Sequence, residues 1–103
     1  MKILSVTVSD ASKAADLVQV SDKVITNTPG YKPLGTYVCL GNPFPGDIPP
    51  NSLVTVTISE VDNEESLAAV SYPMTLAGAT IHRVPVLEMT PGSYSETEKK
   101  FRG

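Results

Sequence analysis

Residues 53–61 read Leu-Val-Thr-Val-Thr-Ile-Ser-Glu-Val, so that apolar and hydroxyl-bearing side chains alternate along the run. A period of two predicts a β-strand, because successive side chains of a strand point to opposite faces of a sheet. Val54, Val56 and Ile58 share one face, and we expect this face to pack on the protein core. The opposite face is expected to meet water with the hydroxyl groups of Thr55, Thr57 and Ser59.

The same alternation recurs at the start of the chain, where residues 2–9 are predicted to form a second strand. Its inward-facing side chains are expected to be Leu4, Val6 and Val8. Asp10 then suits the N-cap of a short helical turn over residues 11–16, with a loop as the alternative. The complete set of predicted strands is residues 2–9, 17–20, 23–27, 34–41, 53–61, 67–72 and 79–89.

Two segments leave alternatives open. Residues 34–41 are apolar on both faces, which is typical of a strand in the middle of a sandwich or of one that lies under a neighbouring subunit. Residues 67–72 are favoured as a strand. Residues 63–70 could instead form a helix, because Asn63 can cap it and two glutamates suit its first turn.

The fold class follows from many short strands separated by turn residues. The chain has 103 residues, with nine prolines and seven glycines, which suits a single domain rich in turns. We therefore predict an all-β fold, a small antiparallel sandwich or barrel of six to seven short strands. Residues 1–92 are assigned to this domain and residues 93–103 to a polar C-terminal tail.

Charge and hydropathy argue against two classes of partner. The formal net charge is −3, from 8 basic and 11 acidic residues, so the basic footprint of a nucleic-acid-binding protein is not evident. No apolar run reaches the length of a transmembrane segment, and the first residues do not read as a signal peptide. We expect a cytoplasmic or virion-associated protein without a membrane partner.

Catalytic and metal-binding patterns are also missing from the sequence. Cys39 is the only cysteine and lies in an apolar run, where it is predicted to be a buried apolar side chain and not a nucleophile. His82 is the only histidine, which makes a zinc site a poor prospect. The acidic residues Asp62, Glu64 and Glu65 follow the strand over residues 53–61, and they lack the spacing of a calcium-binding loop. We predict that the protein is not an enzyme and has no metal site and no cofactor.

Two apolar features are candidates for binding a protein partner. Phe44 lies between Pro43 and Pro45 in a proline-rich loop, which also contains Ile48, and a stiff loop can present an aromatic ring at low entropic cost. Tyr94 and Phe101 are aromatic residues within the polar tail, and such a tail can become ordered when it binds a partner. The leading hypothesis is a non-catalytic protein–protein assembly module that self-associates, such as a small coat, decoration or tail component of a phage particle.

A second hypothesis comes from a resemblance. Residues 37–45, Tyr-Val-Cys-Leu-Gly-Asn-Pro-Phe-Pro, resemble a segment of the filamentous-phage single-stranded DNA-binding proteins, which are small five-stranded barrels. Residues 46–50 depart from that family, because they lack its next strand and its cations, and we assign no family. The hypothesis is a single-strand binder on a small barrel, in which Tyr31, Tyr37 or Phe44 would stack on bases and Lys32, Lys23 and Arg83 would contact phosphates. A third hypothesis is an accessory protein that binds and inhibits a host enzyme.

Overall fold

The computed structural model describes residues 1–43 and 48–103. The described chain contains four strands, which are β1 (Lys2–Asp10), β2 (Tyr31–Val38), β3 (Ser52–Val61) and β4 (Thr80–Pro85). A 3₁₀ turn at Ala11–Lys13 leads into α1 (Ala14–Asn27), and two further helices are α2 (Glu64–Leu76) and α3 (Tyr94–Arg102). None of these helices is long and apolar enough to cross a membrane.

The four strands form one sheet in the order β2-β3-β1-β4, and every neighbouring pair is antiparallel. Because a helix follows β1 and another follows β3, the described elements run β-α-β-β-α-β, which is the ferredoxin-like arrangement. The predicted all-β sandwich or barrel is therefore wrong. The fold is α+β, and its open sheet has two edge strands.

The strands predicted over residues 17–20 and 23–27 are wrong, because both segments belong to α1. Their β-branched residues favour strands locally, but two hydroxyl groups of these segments bond back to carbonyls of the preceding helical turn. Ser21 donates to the carbonyl of Leu17 at 2.9 Å, and Thr26 donates to the carbonyl of Asp22 at 2.6 Å. The expected helical turn after β1 is confirmed, since Asp10 Oδ1 accepts the amide of Ser12 at 2.8 Å.

The strand predicted over residues 67–72 is also wrong, and the helical alternative is confirmed. The side chain of Asn63 caps α2 by accepting the amide of Ser66 at 2.9 Å, and Glu64 and Glu65 occupy the first turn. Pro73 lies inside this helix. The sequence had indicated a turn between Pro73 and Gly78, whereas the helix continues through Pro73 to Leu76.

The apolar run 34–41 does not lie in the middle of a sandwich. Its residues begin within β2, an edge strand, and Tyr37, Val38 and Leu40 are 66%, 53% and 100% exposed. The alternative position, under a neighbouring subunit, stays a prediction. The strand predicted over residues 79–89 contains Pro85, which marks either an edge strand or a bulge. β4 is the other edge strand, but it ends at Pro85, so the prediction is wrong for residues 86–89.

The face assignment of the two central strands is reversed except near the start of β3, where Val54 is buried as expected and Thr55 is half-buried. In β1 the buried positions are the odd ones, including Ser5 and Thr7, while the even positions are half-exposed. In β3, Thr57 and Ser59 are buried, although the sequence predicted that both would face water. The helices therefore cover the hydroxyl-bearing face of the sheet, here called the hydroxyl face. The buried apolar residues of the described chain are Ile3, Leu17, Val54, Val61, Val70 and Ala79.

Candidate functional site

The side of the sheet opposite α1 and α2 is apolar, and we call it the open face. Leu4, Val6 and Val8 lie on it and are only half-buried, although β1 is a central strand. The strand register places three rows of side chains across it. Ile58 and Val84 flank Leu4, Val56 and His82 flank Val6, and Val54 and Thr80 flank Val8. Within the described residues, no helix packs against this face.

The open face has an area at the upper end of the range for the largest apolar patch of a monomer. β1 has nine residues, so a rise of about 3.4 Å per residue and a strand spacing of about 4.8 Å give the sheet an area of roughly 600 Å². Tyr37 and Val84 extend the apolar surface to both edges, with 66% and 50% of their surface exposed. The largest apolar patch of an ordinary monomer covers about 300–600 Å², and it is often functional.

Residues 86–102 follow β4 and form a C-terminal arm. The arm starts against β1, because the amide of Val86 donates to the carbonyl of Lys2 at 3.0 Å. The ammonium of Lys2 pairs with Glu88, whose carboxylate raises the pKa of Lys2. Beyond this point α3 buries none of its side chains. The exposed apolar side chains of the arm are Leu87, Met89, Tyr94 and Phe101.

A cleft of 340 Å³ opens between α1 and the hydroxyl face. Leu17, Ser21 and Ile25 line its helical wall, because a spacing of four residues places them on one side of α1. The floor of the cleft carries the hydroxyl groups of Thr7, Thr36, Thr55 and Thr57. The hydroxyl of Thr57 lies 3.4 Å from that of Thr36, and Met74 of α2 closes one end.

A smaller space of 30 Å³ adjoins the cleft beneath α2, and both share Thr7 and Thr57 in their lining. Its volume is enough for one water molecule, which needs about 10–15 Å³. Tyr31 and Arg83 line this space, and partial burial lowers the pKa of Arg83. Nearby on the hydroxyl face, Ser59 is fully buried and its Oγ has no hydrogen-bond partner among the described residues.

The residues predicted to bind a protein partner are not brought together as one site. Pro43 is exposed and Ile48 is half-buried, while Phe44 and Pro45 lie outside the described residues. Tyr94 and Phe101 lie seven residues apart on α3, which places them on the same side of the helix two turns apart. The loop-centred surface stays a prediction, and the described residues add two other apolar surfaces, the arm and the open face.

The residues predicted to bind nucleic acid are dispersed over three surfaces. Tyr31 and Arg83 face the helices. Lys32 and Tyr37 of β2 lie on the open face, because they pair with residues of β3 on that face. Lys23 lies on α1. Lys32 is opposite Glu60, so an acidic residue neighbours its charge. These five side chains do not form the single basic stripe that phosphate binding favours.

The reactive side chains are likewise separated. Cys39 follows β2 and His82 belongs to β4, the two edges of the sheet, so three strand spacings of about 4.8 Å lie between them. A histidine at that distance cannot activate the thiol. Asp62, Glu64 and Glu65 surround the capped start of α2, and no group of three or more metal-binding side chains occurs among the described residues.

Comparison with known proteins adds likenesses of fold. No protein-family model and no curated protein sequence matches the chain. A putative antibiotic biosynthesis monooxygenase from Deinococcus radiodurans is similar in structure, with a TM-score of 0.47 and 17% identity over 87% of this chain and 96% of that chain. A DUF3240 family protein from Shewanella baltica has a TM-score of 0.45 and 11% identity over 86% and 93%. None of these findings indicates a phage or virion component.

Sequence reasoning missed the open face as a surface. It identified Leu4, Val6, Val8, Val56 and Ile58 as one apolar set and then placed the set in the interior. The alternation itself contained the signal, since it marks two chemically different faces. It did not contain the position of the helices, because α1 and α2 had been interpreted as strands.

Proposed function

We propose that this protein is a non-catalytic assembly module that associates with a second copy of itself through the open face. The observation that carries the proposal is the exposure of a Val, Leu and Ile surface on a sheet whose other face is covered by helices. Burying one half-exposed aliphatic side chain of this kind contributes on the order of 1 kcal/mol. Five such side chains in the two central strands provide a large driving force for association.

The second copy is favoured as the occupant because the chain itself supplies a matching surface. Each partner of a stable interface buries about 800 Å², which is more than the roughly 600 Å² of the sheet. The arm of the same chain carries exposed Leu87, Met89, Tyr94 and Phe101, and it starts at the edge of the sheet. In such a dimer the two open faces pack against each other and each arm lies along the partner. Together these contacts provide the area that a stable dimer needs.

Val6→Lys provides the test, because Val6 lies at the centre of the open face between Val56 and His82. Size-exclusion chromatography with light scattering is expected to give a dimer for the wild type at low and high salt, since apolar association does not weaken with salt. The Val6→Lys variant is expected to be monomeric, because a dimer would bury two unpaired ammonium groups.

Val38→Lys is the matched control. Val38 lies in the same sheet, is 53% exposed and pairs with Thr55 of the hydroxyl face, so this variant is expected to remain dimeric. A wild type that stays monomeric at every concentration contradicts the proposal. A dimer that survives Val6→Lys contradicts it as well. A single-stranded oligonucleotide added to the same column tests the nucleic-acid hypothesis, for which no shift is expected.

A further inference from the structure

The cleft between α1 and the hydroxyl face has the size of a ligand site. Its 340 Å³ falls within the range of about 300–1,000 Å³ that small-molecule pockets occupy. An apolar cavity of about 150 Å³ holds one benzene ring, so this cleft has room for a molecule of about two rings. It lies on the opposite side of the sheet from the open face, and it is therefore independent of the association proposed above.

The hydroxyl groups on the cleft floor are an unusual feature of a protein interior. Thr7 is 8% exposed and Thr57 is 9% exposed. Thr55, by contrast, is only half-buried. Among the described residues, the buried side-chain oxygen without a hydrogen-bond partner is Ser59 Oγ, which lies on the same face of the sheet outside the cleft lining. A buried hydroxyl without a partner destabilises a protein by about 1–3 kcal/mol, whereas valine would fill the same volume without this penalty.

The lining restricts the chemistry of a ligand. Leu17, Ile25 and Met74 provide apolar walls, and the threonine hydroxyls can donate or accept a hydrogen bond. The one ionisable side chain among the described lining residues is Asp22, which is exposed at the mouth. A charged ligand would therefore lose its hydration at the floor without meeting an opposite charge.

From these observations, we propose that the cleft binds a small, uncharged, largely apolar molecule with a hydroxyl or carbonyl group, which hydrogen-bonds to the floor threonines. 2-Naphthol is a suitable probe, because it has two fused rings and one hydroxyl group. Titrated into the isotopically labelled full chain, it is expected to shift the amide NMR signals of Thr7, Ser21, Ile25 and Thr57.

Two substitutions test the contacts. Thr7→Val removes a floor hydroxyl that is proposed to bond the ligand, so its affinity for 2-naphthol is expected to fall about fivefold while the chain stays folded. Val18→Phe introduces a ring at the 51% exposed rim of the cleft and is expected to abolish binding. The matched control is Thr80→Val on the open face, which is expected to bind 2-naphthol as the wild type does.

Each remaining outcome overturns the proposal. Signals that shift only on the open face or the arm would place 2-naphthol on an ordinary apolar surface. An absence of shifts up to the solubility limit of 2-naphthol would show that the cleft does not bind this class of molecule. Unchanged affinity in both Thr7→Val and Val18→Phe would remove the cleft as the site. None of these results bears on the dimer, which light scattering measures separately.

Discussion

Single residues of the hydroxyl face show how far this interior departs from an ordinary core. Ser59 is fully buried with an unsatisfied Oγ, whereas Ser66, also buried, donates its hydroxyl to the carbonyl of Pro29 at 2.8 Å. Both serines are buried, but among the described residues only Ser66 has a hydrogen-bond partner for its hydroxyl. A polar group that is buried without a partner opposes folding, while a bonded one stabilises the folded state by about 1 kcal/mol.

The two serines give a paired prediction at this scale. Ser59→Ala is expected to raise the free energy of unfolding by about 1 kcal/mol, because it removes a hydroxyl that loses its hydration on folding. Ser66→Ala is expected to lower that free energy by about 1 kcal/mol, because it leaves the carbonyl of Pro29 without its donor. Urea unfolding of both variants measures the difference. A loss of stability in Ser59→Ala would mean that its hydroxyl has a partner.

At the scale of elements, the two long helices differ in their local hydrogen bonds, because side-chain bonds to carbonyls within α1 add little stability, whereas a cap at the start of α2 adds more. Three hydroxyl or amide side chains of α1 donate to carbonyls four residues earlier, at Leu17, Asp22 and Lys23. α2 instead depends on its first turn, where Asn63 accepts the amide of Ser66 and two glutamates lie at the positive end of the helix dipole. The N-cap is therefore the feature that commits residues 64–76 to a helix.

Asn63→Ala tests the role of the cap. The substitution leaves the amide of Ser66 without its acceptor, and it is expected to lower the free energy of unfolding by about 1 kcal/mol. Asn27→Ala is the control, because Asn27 is exposed in the last turn of α1, and its effect is expected to stay within about 0.5 kcal/mol. Equal effects of the two substitutions in urea unfolding would contradict a special role for Asn63.

On the scale of the whole molecule, the sheet is covered on its polar face and open on its apolar face. Among the described residues, six apolar side chains are buried, which is a small core for a chain of 103 residues. A partner on the open face would turn Leu4, Val6 and Ile58 into core residues. Folding and association would then be linked, because anything that binds only the native state stabilises it.

Linked folding predicts a melting temperature that depends on protein concentration. Over a hundredfold increase in concentration, the Tm of the wild type is expected to rise by roughly 5 °C. The Tm of Val6→Lys is expected to be independent of concentration, because this variant is expected to be monomeric. Scanning calorimetry or circular dichroism at matched concentrations makes the measurement. A constant Tm for the wild type would indicate that the monomer is the stable unit.

The sequence by itself determined the two central strands and the helical turn after Asp10, and it limited the strand that contains Pro85 to an edge or a bulge. Each of these depends on neighbours in the chain, through alternation, a cap or a missing backbone donor. It also separated the apolar from the hydroxyl-bearing side chains of β1 and β3. These sets are the open face and the floor of the cleft.

Only the tertiary structure decided which face is covered. A period of two separates the two faces of a strand, but it does not indicate which of them is covered. That depends on where the helices pack. The helical state of residues 14–27 and 64–76 is likewise a tertiary outcome in part, because β-branched residues in the first segment and Pro73 in the second oppose it locally. Packing and capping overrode those local preferences.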